Sequence, residues 1–235
     1  MKCNKDSILL IPPISKEGYP IILVAGLISL FFGIFSLAVG IFGFMITLFL
    51  LFFFRDPPRM VPDDDRLVLS PADGLVIDVE EIDGFPPELS LDPVKMTKIS
   101  VFLSIFDVHV NRIPVAGIIK TLVYIPGVFS NAFFSKSSGK NERQIILIEN
   151  GKKEEFAVVQ IAGLAARRVI CKLGDGQVVE RGSRFGIIKF GSRVELYIPQ
   201  SYTLQVVRGQ SVVAGETVLA TSDGIGLPSC DFNYI

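Results

Sequence analysis

At 235 residues the chain has room for one globular domain and an appendage, and its net charge of −1 gives no basic field of the kind that draws nucleic acid. Three scattered cysteines (Cys3, Cys171, Cys230) offer neither metal-ligand spacing nor a disulfide framework, and a single histidine excludes a histidine-rich metal site. Hydrophobic residues make up 49% of the chain, and the excess sits in one place.

Residues 1–17 read as a short cytosolic segment carrying Lys2, Lys5 and Lys16. From Gly18 to Phe54 nothing is charged, and Leu, Ile, Phe and Val dominate. About 20 apolar residues suffice for one membrane-spanning helix, so this run is too long for a single straight span. The expectation is a transmembrane helical hairpin over 18–54, with helices near Pro20–Leu37 and Val39–Phe54 and a break at Gly33, Gly40 or Gly43. Arg55 and Arg59 follow the run, so both flanks are positive, and a hairpin keeps both on the cytoplasmic side. A single tilted helix and a buried core hairpin are the competing readings. The run is too long for a signal peptide, and no small-residue cleavage site follows it. The implied location is the cell membrane, with the remaining chain on its cytoplasmic face.

Residues 55–66 read as a linker, because Asp56-Pro57-Pro58 and Val61-Pro62-Asp63-Asp64-Asp65 cannot continue a helix. From residue 67 to 235 short apolar runs alternate with Gly, Pro and Asp. Strands are predicted at Leu75–Val79, Ile99–Leu103, Thr121–Ile125, Gln144–Ile148 and Phe156–Ile161, all short and rich in β-branched residues. The fold class is therefore mainly β, a compact domain behind an N-terminal helical hairpin. Phe129–Phe134 reads as a short helix or loop. One repeat is visible: Gly176–Phe185 and Gly209–Val218 both fit G-Q-x-V-x-x-G-x-x-apolar, the turn pattern of lipoyl-type hammerhead barrels. Val94-Lys95-Met96 superficially matches a biotinylation site, but Lys95 precedes a strand and reads as a solvated lysine.

Three stretches carry candidate chemistry. Leu69-Ser70-Pro71-Ala72-Asp73-Gly74 puts Asp73 at a strand entry, where an Asp-Gly turn is the plain explanation. Phe102–Pro114 holds the only histidine, His109, beside a proline-limited turn, and imidazole is the side chain best suited to proton transfer near neutral pH. Lys189–Pro199 sets a Gly191-Ser192 bond at the mouth of an alternating run, where a sharp bend would let the Ser192 hydroxyl reach the Gly191 carbonyl. Ser192 as nucleophile, His109 as base and Asp73 as orienting carboxylate are the parts of a serine triad. The hydrolase elbow G-x-S-x-G is absent, since Arg193 follows Ser192, so an ordinary serine hydrolase fits poorly.

Several motifs together resemble the phosphatidylserine decarboxylases, in particular the short prokaryotic, membrane-anchored members. They are Phe53-Phe54-Arg55-Asp56-Pro57, Ser70–Gly74, Asp107-Val108-His109 before Pro114, Asn131-Ala132 through Lys136 to Asn141-Glu142-Arg143, and Phe190-Gly191-Ser192-Arg193-Val194-Glu195 with Pro199. The resemblance implies a proenzyme that breaks between Gly191 and Ser192. Attack of the Ser192 hydroxyl on the Gly191 carbonyl gives an ester; elimination then leaves dehydroalanine, which hydrolyses to a covalent pyruvoyl group and ammonia. It also implies a heterodimer of fragments 1–191 and 192–235, open to further oligomerisation. The activity it implies is decarboxylation of phosphatidylserine to phosphatidylethanolamine and CO2, the headgroup amine condensing with the pyruvoyl carbonyl as a Schiff base. His109 then transfers protons and Asp73 activates it. Many relatives carry a second histidine three residues after the first; here that position is Arg112, so self-cleavage falls to His109 alone or to Asp73 with Arg112. Phe133-Phe134 with Lys136 and Lys140 would suit an interfacial loop, or equally a solvated one. The alternatives are an archaetidylserine decarboxylase and a membrane-tethered hammerhead module that binds a partner without catalysis.

Overall fold

The computed structural model describes residues 12–127, 141–163, 168–189, 192–222 and 232–234. The chain divides into two compact units at Pro58/Arg59, inside the stretch read as linker.

In the first unit the apolar run forms two 17-residue helices, α1 (Tyr19–Phe35) and α2 (Leu37–Phe53). They are separated by Ser36, which is extended at φ −151° and ψ 116°. The expected glycine break is therefore corrected: the glycines form the seam between the helices. A Cβ on Gly40 would lie 2.6 Å from Gly33 Cα, and one on Gly43 would lie 2.5 Å from Ser29 Oγ. Ser29 Oγ in turn sits 3.3 Å from Thr47 Oγ1 across the seam. The ends are tied together, with Ser15 N donating to Phe54 O and Asp56 N to Pro13 O.

The membrane-crossing part of the expectation is also corrected. At about 1.5 Å rise per residue each helix falls short of a hydrocarbon layer about 30 Å thick. Among the described residues no helix is long and apolar enough to cross a membrane. The physical reason is Ser36, which splits one over-long run into two short pieces. Large apolar side chains nevertheless stand in the open, among them Ile34, Phe35, Leu37 and Phe42 at 69–77% exposure.

The second unit is mainly β. In chain order its strands are β1 (Met60–Pro62), β2 (Leu67–Leu69), β3 (Gly74–Asp83), β4 (Lys95–Leu103), β5 (Val110–Arg112), β6 (Gly117–Ile125), β7 (Arg143–Glu149) and β8 (Glu155–Ala162). There follow β9 (Val169–Cys171), β10 (Val178–Val179), β11 (Arg184–Ile188), β12 (Ser192–Pro199), β13 (Thr203–Leu204), β14 (Ser211–Val212), β15 (Val218–Thr221) and β16 (Phe232–Tyr234). All five strands predicted from sequence lie within β3, β4, β6, β7 and β8. Part of the linker stretch is strand as well, since β1 pairs with β16.

The main sheet has the order β10-β6-β7-β8-β12-β4-β3-β14, and β5-β11-β9 forms a second, smaller sheet. Alternation along β12 is strict. Val194, Leu196 and Ile198 join the larger core with Val101, Leu103 and Val158, while Tyr197 joins a second cluster with Ile145 and Val159 on the other face. The repeat explains how the sheet curls. Its two copies supply the opposite edge strands β10 and β14, and each copy then turns at a glycine with φ 75°, Gly182 and Gly215. A Cβ on Gly215 would lie 3.6 Å from Gly182 Cα, so the turns following opposite edges meet.

Candidate active site

Ser192 is the first residue of β12, in the middle of the main sheet, where it faces Leu103 of β4 and Ala162 of β8. Its side chain has no exposed surface, and its Oγ has no hydrogen-bond partner among the described residues. Gly191 lies outside the described residues. The next position, Arg193, points to the opposite face and pairs with Glu195 at 2.8 Å, while the Tyr197 hydroxyl donates to the same carboxylate. Burial pushes the Tyr197 hydroxyl far above its ordinary range, and the neighbouring Glu195 charge adds to the effect. These pairings lie along β12 itself, whose register is set by its ladders with β4 and β8.

His109 is fully buried, one residue before β5. Its Nδ1 lies 2.9 Å from the Asp107 carbonyl oxygen. A carbonyl only accepts, so Nδ1 carries the hydrogen and Nε2 is left as the basic nitrogen. The His109 carbonyl accepts from Ile188 N, at the end of the strand that leads toward Ser192.

Asp73 stands just ahead of β3, whose Leu75 pairs with Phe102, the neighbour of the Leu103 that faces Ser192. The structure therefore brings all three candidates to one end of the main sheet. The carboxylate accepts from Arg59 Nη2 at 2.7 Å and from Ala214 N at 2.8 Å. Burial raises the Asp73 pKa above 3.8; Arg59 and the Ala214 N–H oppose that rise, and the Asp107 charge adds to it. Arg59, read from the sequence as a flanking positive charge, is also the largely buried partner of Asp73, with 11% of its side chain exposed.

Arg112 occupies the position where many relatives have histidine. It is buried, its Nη1 donates to the Gly182 carbonyl at 2.9 Å, and its Cδ packs at the Gly215 turn. These two contacts join it to the repeat turns that close the sheet. The sequence reading gave no role to Asn111 or to Gln160. Asn111 and Gln160 are fully buried and joined by a bond from Gln160 Nε2 to Asn111 Oδ1 at 2.7 Å. Asn131, Ala132, Phe133, Phe134, Lys136 and Lys140 lie outside the described residues, as does the Phe129–Phe134 segment.

A nucleophile sealed within a sheet, with a buried histidine beside the strand leading to it, suits chemistry on the chain's own backbone better than an open hydrolase cleft. Residues 46–220 match the family model for phosphatidylserine decarboxylase. The chain is 47% identical over 207 residues to the phosphatidylserine decarboxylase proenzyme of Rickettsia felis, covering 88% of this chain and 89% of that protein. The proenzyme of the same name from Ehrlichia chaffeensis is 48% identical over 208 residues, covering 88% and 90%. The chain belongs to the phosphatidylserine decarboxylase family.

Proposed function

We propose that this chain is a proenzyme that cuts itself between Gly191 and Ser192 and then decarboxylates phosphatidylserine to phosphatidylethanolamine and CO2. The observation that carries the reading is Ser192 itself, a buried hydroxyl at the start of the central strand with bonded strands on both sides. In the first step Ser192 Oγ attacks the Gly191 carbonyl carbon and its proton passes to His109 Nε2. The peptide C–N bond breaks, leaving an ester and a free Ser192 amine. Loss of the Ser192 α-proton with rupture of its Cβ–Oγ bond releases residues 1–191 as a carboxylate and leaves dehydroalanine. Tautomerisation and addition of water expel ammonia and leave a pyruvoyl group.

The residues present fit that group, because the serine that would become it sits between Leu103 and Ala162 in a site closed to bulk water. When formed, the group supplies an electron sink for the amine-bearing headgroup. The protein's own part is orientation, exclusion of water and proton delivery. His109 holds the transferable proton at Nε2, and Asp73 supplies a buried negative charge at the same end of the sheet. Among the described residues, strands on the two sides of the cut pair with one another. Downstream β12 is bonded to upstream β4 and β8, β14 to β3, β15 to β2 and β16 to β1, which supports a heterodimer of 1–191 and 192–235.

The helical hairpin would hold this domain at the cytoplasmic face of the cell membrane by entering the lipid without crossing it. Its exposed apolar side chains support that reading, as do Lys16 before it and Arg55 after it. The test of the function is direct. Purified chain should run as two fragments on a denaturing gel and release CO2 from phosphatidylserine vesicles. An intact chain with full activity, or two fragments with none, would refute the assignment.

A further inference from the structure

Three polar atoms on Ser192, its ladder neighbour Gln160 and the Asn111 bonded to Gln160 are shielded from solvent and have no partner among the described residues: Ser192 Oγ, Gln160 Oε1 and Asn111 Nδ2. A buried donor or acceptor left alone is costly, so a cluster of three calls for a reason. Gln160 lies on β8 and Asn111 on β5, so the bond between them joins the main sheet to the smaller one. Gly186 of β11 faces Asn111 in the ladder, and a side chain there would come within 3.1 Å of Gln160 Nε2. Its missing side chain leaves room for the Gln160 amide to pass.

That bond fixes which way the Gln160 amide faces. Asn111 Oδ1 can only accept, so it holds Nε2 and leaves Oε1 as the bare acceptor. In the β12–β8 ladder Ser192 faces Ala162 and Val194 faces Gln160, so Ser192 and Gln160 are diagonal neighbours on one face. Such neighbours lie about 7–8 Å apart, within reach of a long side chain; in this structure Ser192 Oγ and Gln160 Oε1 are not bonded to one another, and both stay open to such a bond. Ser192 has a hydroxyl hydrogen to give, and Gln160 has an oxygen to receive it.

We propose that Asn111 and Gln160 are a positioning pair for self-cleavage, with Gln160 Oε1 aiming the Ser192 hydroxyl and Asn111 locking the amide that does so. The proposal rests on the self-cleavage reading above. The pair takes no proton; it selects the rotamer from which Oγ attacks, and the hydroxyl hydrogen then leaves for His109. Its task ends when the Ser192 hydroxyl is consumed. A residue needed only for folding would depress cleavage and later turnover together, whereas a positioning pair weighs on cleavage.

The experiment follows conversion of freshly synthesised full-length chain into two fragments on denaturing gels. It also measures CO2 release per mole of cleaved chain and the thermal midpoint of each variant. Gln160→Leu should slow cleavage by about tenfold to a hundredfold, well beyond any fall in turnover per cleaved chain. Asn111→Leu should slow it similarly, and Asn111→Asp, which still accepts from Gln160 Nε2, should restore most of the rate. Should Gln160→Leu fail to fold, the contrast between Asn111→Leu and Asn111→Asp decides alone. Wild-type cleavage in the leucine variants would overturn the proposal, as would equal losses of cleavage, turnover and thermal midpoint without rescue by aspartate. A wild-type chain that stays whole would remove the self-cleavage reading itself, a result distinct from these.

Discussion

The two units of the chain break the usual rule of burial in opposite directions. The helical unit leaves Ile34, Phe35, Leu37 and Phe42 in the open, whereas the β unit buries Ser192, His109, Asn111 and Gln160 completely. Exposed apolar side chains and buried polar ones are the departures that carry information, because water opposes the first and favours exposure of the second. In the helical unit the departure is relieved if lipid replaces water. In the β unit it is relieved if the polar groups act on one another or on a group formed among them. On the proposed function, the helical unit is where the molecule would meet lipid and the β unit is where it would do its chemistry.

The sharpest way to break that contrast is to remove a buried group. Ser192→Ala should abolish both cleavage and decarboxylation, because no other atom in the chain supplies the attacking oxygen; gels and CO2 release report both. His109→Ala should lower cleavage or turnover by roughly a hundredfold to ten-thousandfold, the usual range for loss of a positioned acid or base. Rates equal to wild type in both assays would remove His109 from the mechanism.

A subtler test uses Asp73. Burial raises its pKa in the folded chain above 3.8, against the pull of Arg59. The folded state therefore holds the Asp73 proton more tightly than the unfolded state does. Stability falls as pH rises from 3.8 through the raised value, and the cost of burying the charge is fully present above it. Arg59→Leu removes the opposing charge and should push the Asp73 pKa higher still. If ionised Asp73 supports His109, the acid limb of the cleavage rate should move to higher pH in this variant, while the neutral-pH rate changes less. A pH profile of cleavage checks this, and an unmoved acid limb would detach Asp73 from the chemistry.

The helical unit should yield the smallest effect on the chemistry. Gly40→Val forces a Cβ to within 2.6 Å of Gly33 Cα, and overpacking of this kind costs about 1–3 kcal/mol. The helices should part, and binding to anionic vesicles in a flotation assay should weaken, while cleavage at 191/192 continues. Loss of cleavage instead would mean that the two units are not separable in function.

Much of this was legible in the amino-acid sequence, for identifiable reasons. The five predicted strands announced themselves as short runs rich in β-branched residues, and the two repeat copies because their turns need glycine at fixed spacing. Ser192, His109 and Asp73 stood out because each is a reactive type within a short distinctive motif. The break at Ser36 was missed, since serine carries no helix-ending signal as strong as glycine, and the glycines there serve packing. The pairing of Arg59 was missed: its position after an apolar run drew attention away from a partner 14 residues on. The Asn111–Gln160 bond had no signal at all, because neutral amides 49 residues apart meet only through the register of two sheets.

The most direct test of the account is the mass of the downstream fragment from purified wild-type protein. The account predicts a fragment spanning 192–235 whose first residue has exchanged its serine amine and hydroxyl for a pyruvoyl group, and which therefore resists amino-terminal sequencing. An active protein that yields only the uncut chain, or a fragment beginning with unmodified serine, would contradict it.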